Sequence, residues 1–213
     1  MNVTPEAPRD CALCPRLVAY RARNAAAEPS WFNGAAPSFG DANARLLIVG
    51  LAPGRTGANR TGRPFTGDYA GDLLYSTLKK LGLAAGEYRA DPADGFMLKG
   101  AMITNAVRCA PPENKPTPEE IATCRPFLHA RINALAHAKT LLALGSIAHE
   151  SIVRAHGLKP AEAKFGHGVE IELPDGKTLI SSYHCSRYNT QTRRLTPEMF
   201  ERVMARAKDL ALL

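Results

Sequence analysis

The sequence predicts an α/β fold built on one mainly parallel sheet, and three observations carry that reading. Four short runs, residues 45–51, 101–107, 140–144 and 178–183, are apolar and nearly continuous, as strands covered on both faces are. Segments with helical periodicity separate them, so strands and helices alternate. The runs end in GLAPG, TNAVRC, ALGS and SYHCS. Glycine and polar residues therefore gather at the carboxyl ends of the strands, where such sheets bind ligands.

The elements follow in order. The first strand, 45–51, leads through a glycine-rich loop to a helix expected over 68–81. The second, 101–107, leads to a helix over 117–137, opened by Thr117-Pro118-Glu119-Glu120. A capping threonine, proline at the first position and acids in the first turn are a helix start. The third strand, 140–144, precedes a helix over 146–156 with Ser146 as its cap. A short strand over 169–173 is expected to pair, through Pro174-Asp175-Gly176, with the strand at 178–183. The last helix starts at Thr196-Pro197-Glu198 and runs to the C-terminus. No repeat or long linker interrupts the pattern, so a single domain over residues 1–213 is expected.

The chain has 213 residues, 45% of them hydrophobic, enough for one sizeable core. No apolar run is long enough to span a bilayer. The N-terminal stretch MNVTPEAPRDCALC lacks the apolar centre of a secretory signal. The protein is expected to be soluble, cytoplasmic and monomeric, with no membrane partner. The formal net charge is +7, which favours a polyanionic partner. The placement of the arginines says more. Arg55, Arg60 and Arg63 lie in the loop GLAPGRTGANRTGRPFTGD, residues 50–68, and Arg187, Arg193 and Arg194 lie in a second loop, 186–195.

Five cysteines, an odd number, argue against a disulfide framework. Cys11 and Cys14 form C-A-L-C; Cys109 and Cys124 stand far downstream around a proline-rich loop. Four such thiols suit zinc, a [4Fe–4S] cluster, or no metal at all. Cys185 neighbours His184 at a strand end. Adjacent strand residues face opposite sides, so if His184 faces a site, Cys185 is a buried thiol.

Three further residues mark the strand ends. Asn105 offers a donor and an acceptor that match the edge of a nucleobase, or it caps a turn. His184 can donate a hydrogen bond to a developing anion as a neutral imidazole. Phe65, in a polar loop, is a plug into the core or a stacking platform. The loop lacks the G-x-x-x-x-G-K-[ST] of a nucleotide-hydrolase P-loop and the G-x-G-x-x-G of a dinucleotide site.

Taken together, GLAPG…GANRTGRPFTGD, NAVRCAPPENKPTPEE and SYHCSRYNTQTRRLT resemble the family 5 (type B) uracil-DNA glycosylases, an iron–sulfur branch of the uracil-DNA glycosylase superfamily. The resemblance runs from Cys11 into the last helix. It implies a three-layer α/β/α fold and a [4Fe–4S] cluster on Cys11, Cys14, Cys109 and Cys124. It implies hydrolysis of the N-glycosidic bond of uracil in single- or double-stranded DNA. Gly50, Ala52, Pro53, Phe65, Asn105 and His184 would form the base pocket: Phe65 stacks on the base, Asn105 reads its edge, and His184 donates to the leaving base. Loop 186–195 would be a wedge entering the duplex, with Ser186, Arg187, Tyr188, Asn189 and Arg193 on DNA beside Arg60 and Arg63. Other branches carry a carboxylate or amide where this chain has Ala52, which leaves Asp68 to orient water or simply to cap a helix. A small residue at position 52 also implies room for bulkier bases such as hypoxanthine or ethenocytosine. Two other functions stay open on the residues alone: a non-enzymatic iron–sulfur nucleic-acid-binding protein, and a hydrolase of free nucleotides.

Overall fold

The computed structural model describes residues 3–212. Met1, Asn2 and Leu213, the ends of the expected domain span, lie outside the described residues. The chain runs α1 (Pro15–Ala27), β1 (Phe39–Gly40), β2 (Leu46–Gly50), α2 (Ala58–Thr61), α3 (Tyr69–Lys80), β3 (Ala84–Ala85), β4 (Met97–Leu98) and β5 (Ala101–Asn105). It continues through α4 (Pro118–Ala134), β6 (Thr140–Leu144), α5 (Ser146–Ala155), β7 (Glu170–Glu172), β8 (Thr178–Ser182), α6 (Arg187–Gln191) and α7 (Pro197–Leu210).

Six strands form one sheet in the order β1-β5-β2-β6-β8-β7, and β3 pairs with β4 in a separate ribbon. The four inner strands are parallel; β1 and β7 are antiparallel edges. The inner strands are the four apolar runs, and β2, β5 and β6 are buried at every position. Their side chains alternate between two cores. Leu46 and Ile48 pack on one face with Leu74 of α3 and Phe200 of α7. Leu47 and Val49 pack on the other with Leu128 and Ile132 of α4 and Ile152 of α5. The result is the expected three-layer α/β/α arrangement.

The helix starts are chemical. Asp68 accepts from the Gly71 amide to cap α3. Thr117 and Glu120 form a reciprocal capping box on α4. Thr196 caps α7 by accepting from the Met199 amide. At α5 the expectation is corrected: the cap position is Gly145, at φ 98°, and Ser146 is the first helical residue. That left-handed conformation is open to glycine at no steric cost.

The segment before α1 is tied down by charge. The Glu6 carboxylate bridges Arg108, after β5, at 2.8 Å and Arg131 of α4, and it accepts from the Ser38 amide. The Arg108 side chain is only 1% exposed. Removing the partner of a buried charge costs far more than the pair contributes, because the remaining ion stays desolvated. Glu6→Ala is therefore expected to lower unfolding free energy by about 3 kcal/mol, measured in urea, whereas exchanging the half-exposed Arg206 for alanine should leave it almost unchanged.

Candidate active site

The connection after β2 leads to α3 on one face of the sheet, and the connection after β5 leads to α4 on the other. Neighbouring parallel strands whose connections diverge open a crevice at their carboxyl ends. The last residues of those two strands, Gly50 and Asn105, are register partners. A Cβ on Gly50 would lie 2.5 Å from the Phe65 ring and 2.6 Å from the Asn105 side-chain oxygen. Position 50 must be glycine because an aromatic ring and a carboxamide both press against its backbone.

Phe65 is held by an apparatus that the sequence reading did not anticipate. Its backbone adopts φ 55°, a strained region for a bulky residue. Arg63 sits beneath it, 3% exposed, in a bidentate pair with the fully buried carboxylate of Asp94, both bonds 2.8 Å. Its Nε donates to Thr66 Oγ1 at 2.7 Å, and the rings of Phe39, Tyr75 and Tyr88 surround the guanidinium. The Tyr75 hydroxyl donates to the Pro64 carbonyl at 2.6 Å, and the Tyr88 hydroxyl bridges the Phe65 carbonyl and the Gly67 amide. A Cβ on Gly71 would collide with the Phe65 carbonyl. Arg63, expected to contact DNA, is thus corrected: its charge is spent inside the fold, fixing the loop that carries Phe65.

The pocket above these residues has a volume of about 650 Å³ and is lined by Ala52, Pro53, Phe65, Asp68, Asn105 and His184 among others. Asn105 is 3% exposed and its Oδ1 has no partner among the described residues. A buried acceptor left open costs free energy unless a ligand supplies the donor. His184 follows β8 and lies nearly parallel to the Phe65 ring, centroids 6.0 Å apart. Burial pushes its pKa down to about 4, and no charged or hydrogen-bonding group opposes the shift. The ring is therefore neutral at pH 7. Asp68 takes the capping role: Oδ1 accepts from the Gly71 amide at 2.8 Å, and the residue also lines the pocket. Desolvation raises the Asp68 pKa.

The segment 186–195, expected to be a loop, holds a short helix, α6, capped by Ser186. Tyr188 projects from it, 71% exposed, and Arg187 stacks over Tyr69 at the pocket rim. Asn189, expected on DNA, instead turns its amide onto the His184 carbonyl at 2.8 Å, so it braces the strand end. Arg60 and Arg193 are exposed, Arg60 on α2 beside the pocket. Cys185 is fully buried, its Sγ toward the Ala70 carbonyl, in line with the buried-thiol reading.

Residues 37–208 match the family described as "Uracil DNA glycosylase superfamily". The chain belongs to the uracil-DNA glycosylase superfamily. It is 47% identical over 207 residues to a protein named "Type-5 uracil-DNA glycosylase" from Thermus thermophilus, covering 94% of each chain. A protein of the same name from Pyrobaculum aerophilum is 40% identical, over 93% of this chain and 88% of its own. A "Type-4 uracil-DNA glycosylase" from Thermotoga maritima is 32% identical, over 87% of this chain and 91% of its own.

In this member of the superfamily, Cys11, Cys14, Cys109 and Cys124 line one small cavity walled by Leu13, Leu17, Val107 and Phe127. Among the described residues, no three His, Cys, Asp or Glu are gathered so as to hold a single metal ion. Two of the sulfurs already have donors: the Arg108 amide points at Cys124 Sγ (3.3 Å) and the Arg21 guanidinium at Cys109 Sγ (3.6 Å). Without a metal, burial pushes the Cys109 thiol up to about 12 and the Cys124 thiol up to about 11.

Asp94 and Tyr88 carry no local signal in the sequence; only the long-range pairing with Arg63 gives them a role. Their hold on Phe65 has a pH signature. The Arg63 guanidinium keeps the Asp94 carboxyl well below the usual carboxylate range, so the unfolded chain binds the proton first. The stabilisation is complete above the unfolded pKa of about 4 and falls away as pH drops toward the folded value. Asp94→Asn is expected to lose about 3–5 kcal/mol of stability at pH 7, and the gap from the parent protein should narrow below about pH 4, as followed by thermal unfolding across pH.

Proposed function

We propose that this protein is a monofunctional uracil-DNA glycosylase of base excision repair, acting on a base flipped out of DNA. The observation that carries this is the meeting of an aromatic ring, an unpartnered buried carboxamide and a neutral imidazole at adjoining strand ends: Phe65, Asn105 and His184. A flat heterocycle with polar edges is the ligand that uses all three. The relatives' names support uracil in DNA as the substrate. A single domain, active as a monomer, is part of the same reading.

The chemistry follows from charge. A base inside a duplex is inaccessible and must be extruded, at a cost of a few kcal/mol. Tyr188 on α6 fills the gap, and Arg60, Arg187 and Arg193 hold flanking phosphates. The base stacks on Phe65, and Asn105 bonds its polar edge. The C1′–N1 bond then breaks, its electron pair passing to the base and positive charge to the sugar. The neutral His184 donates a hydrogen bond to the base anion. Water adds to C1′, and the proton it gives up neutralises the uracil anion, leaving an abasic site and free uracil. Asp68 Oδ2, at the pocket wall, orients that water, with Oδ1 fixed by the helix it caps. Ala52 leaves space for larger deaminated or alkylated bases.

The same reading includes a [4Fe–4S] cluster on Cys11, Cys14, Cys109 and Cys124. Four thiols around one apolar cavity, with N–H donors already directed at two sulfurs, suit a thiolate-held cluster. A single zinc would draw four sulfurs to about 2.3 Å of one point, and no such gathering supports it. Bound there, the cluster ties the segment before α1 to β5 and α4 as a structural staple. The protein should then absorb near ~400 nm and lose that band, with its iron and sulfide, on Cys109→Ala exchange.

The deciding assay uses a labelled duplex with one U opposite G, followed by alkali. Strand scission at the uracil is expected, with about 10²–10³-fold lower kcat in His184→Ala and Asn105→Ala. Asp68→Asn, which keeps an acceptor for the cap, should lose less than the about 10²-fold that a full general base contributes. Because neutral His184 is the donor, its contribution to kcat should stay flat on the alkaline side, with any change confined to the region near pH 4 where the ring takes up a proton. No scission by the cluster-loaded protein on uracil, hypoxanthine or ethenocytosine would instead favour a DNA-binding protein without turnover.

A further inference from the structure

A second cavity lies beyond α2, open to the surface and about 660 Å³ in volume. Arg9, Arg60 and Arg89 stand around it, and Trp31 and Phe32 form its aromatic wall. It is built into the fold: the Phe32 amide donates to the Arg60 carbonyl, the Asn33 amide to the Asn59 carbonyl, and the Asn59 side chain to Asn33 Oδ1, all at 2.9–3.0 Å. It also adjoins the base pocket. Arg55 lines that pocket and lies over the Trp31 ring, 5.0 Å from its centroid, while its Nε is held by Asn24 Oδ1.

Positive charge outnumbers negative here, three arginines against one carboxylate. Five other arginines, Arg16, Arg63, Arg108, Arg131 and Arg206, are ion-paired within the fold. Among the described residues, Arg9, Arg55, Arg60 and Arg89 have no carboxylate partner. The one acid lining the cavity, Asp91, accepts from the Ala93 amide in its own turn. Three guanidiniums around a single carboxylate leave a net positive cavity that favours an anion. Aromatic rings between them add a face on which bases stack. A strand of nucleic acid satisfies both features at once.

We propose that this groove carries the DNA strand on one flank of the flipped nucleotide, with Arg9, Arg60 and Arg89 on phosphates and Trp31 as a stacking surface. The inference rests on the glycosylase reading for the presence of DNA in the neighbouring pocket. It adds a polarity: one flank is gripped by this groove and the other is not.

Trp31 is the only tryptophan in the chain, so its emission reports on the groove directly. The probe is an oligonucleotide carrying uncleavable 2′-fluoro-deoxyuridine, with each flank long or short in turn, added to the cluster-loaded protein. Quenching is expected when one particular flank is long and not when only the other is. Arg89 is exposed, and among the described residues its side chain has no carboxylate partner, while its amide, which holds Asp94, survives substitution. With cleavable substrate, Arg89→Glu should raise KM several-fold on the long-flank DNA, leave kcat unchanged, and leave the short-flank DNA unaffected. Its salt slope for binding should fall by about 1. Unquenched Trp31 emission on bound DNA, or an Arg89→Glu effect equal on both substrates or absent from both, would overturn the proposal. Quenching without excision by the parent protein would instead sink the glycosylase reading and leave the groove standing.

Discussion

The bidentate pair between Arg63 and Asp94 lies under the part of the molecule where chemistry gathers, and the geometry above it depends on that pair. A guanidinium enclosed by three aromatic rings fixes Thr66 on one side and the 88–96 segment on the other. Phe65 stands between these anchors in a backbone conformation it would not keep alone. Burying an ion pair contributes little net stability. Here its effect is positional: the ring that defines the pocket has one available place. The ring in turn dictates glycine at position 50 and brings Asn105 and His184 into range.

The sheet supplies the other half of the constraint. Its strand order sends the chain after β2 and after β5 to opposite faces, so the crevice between Gly50 and Asn105 is a product of topology. The loop from β2 could then become long and arginine-rich without disturbing the core. Cores on the two faces are filled by alternate residues of the same strands. The site is a rim feature on a scaffold that is finished beneath it.

Much of this was legible in the sequence because the relevant signals are local. The four inner strands are runs of apolar residues, and the capped helices announce themselves by Thr-Pro-Glu and by Asp68. Asn105 and His184 were readable because they end strands. The parts that were missed have long-range causes. α1 buries only Leu17 and Asn24 and has no capping side chain, so its pattern is weak. The two-residue edge strand β1 exists through pairing with β5. Arg63 looked like its exposed neighbour Arg60, because nothing nearby in the chain reveals Asp94. Asn189 sits among residues suited to DNA, and only the folded helix α6 shows that its amide is taken by His184.

That last bond joins two tasks in one solid piece. Tyr188, facing solvent, and His184, facing the pocket, are separated by three residues in a single braced turn. On the proposed function, the residue that enters the helix stack and the residue that meets the base are tied to each other by this bond, so the placement of one constrains the placement of the other.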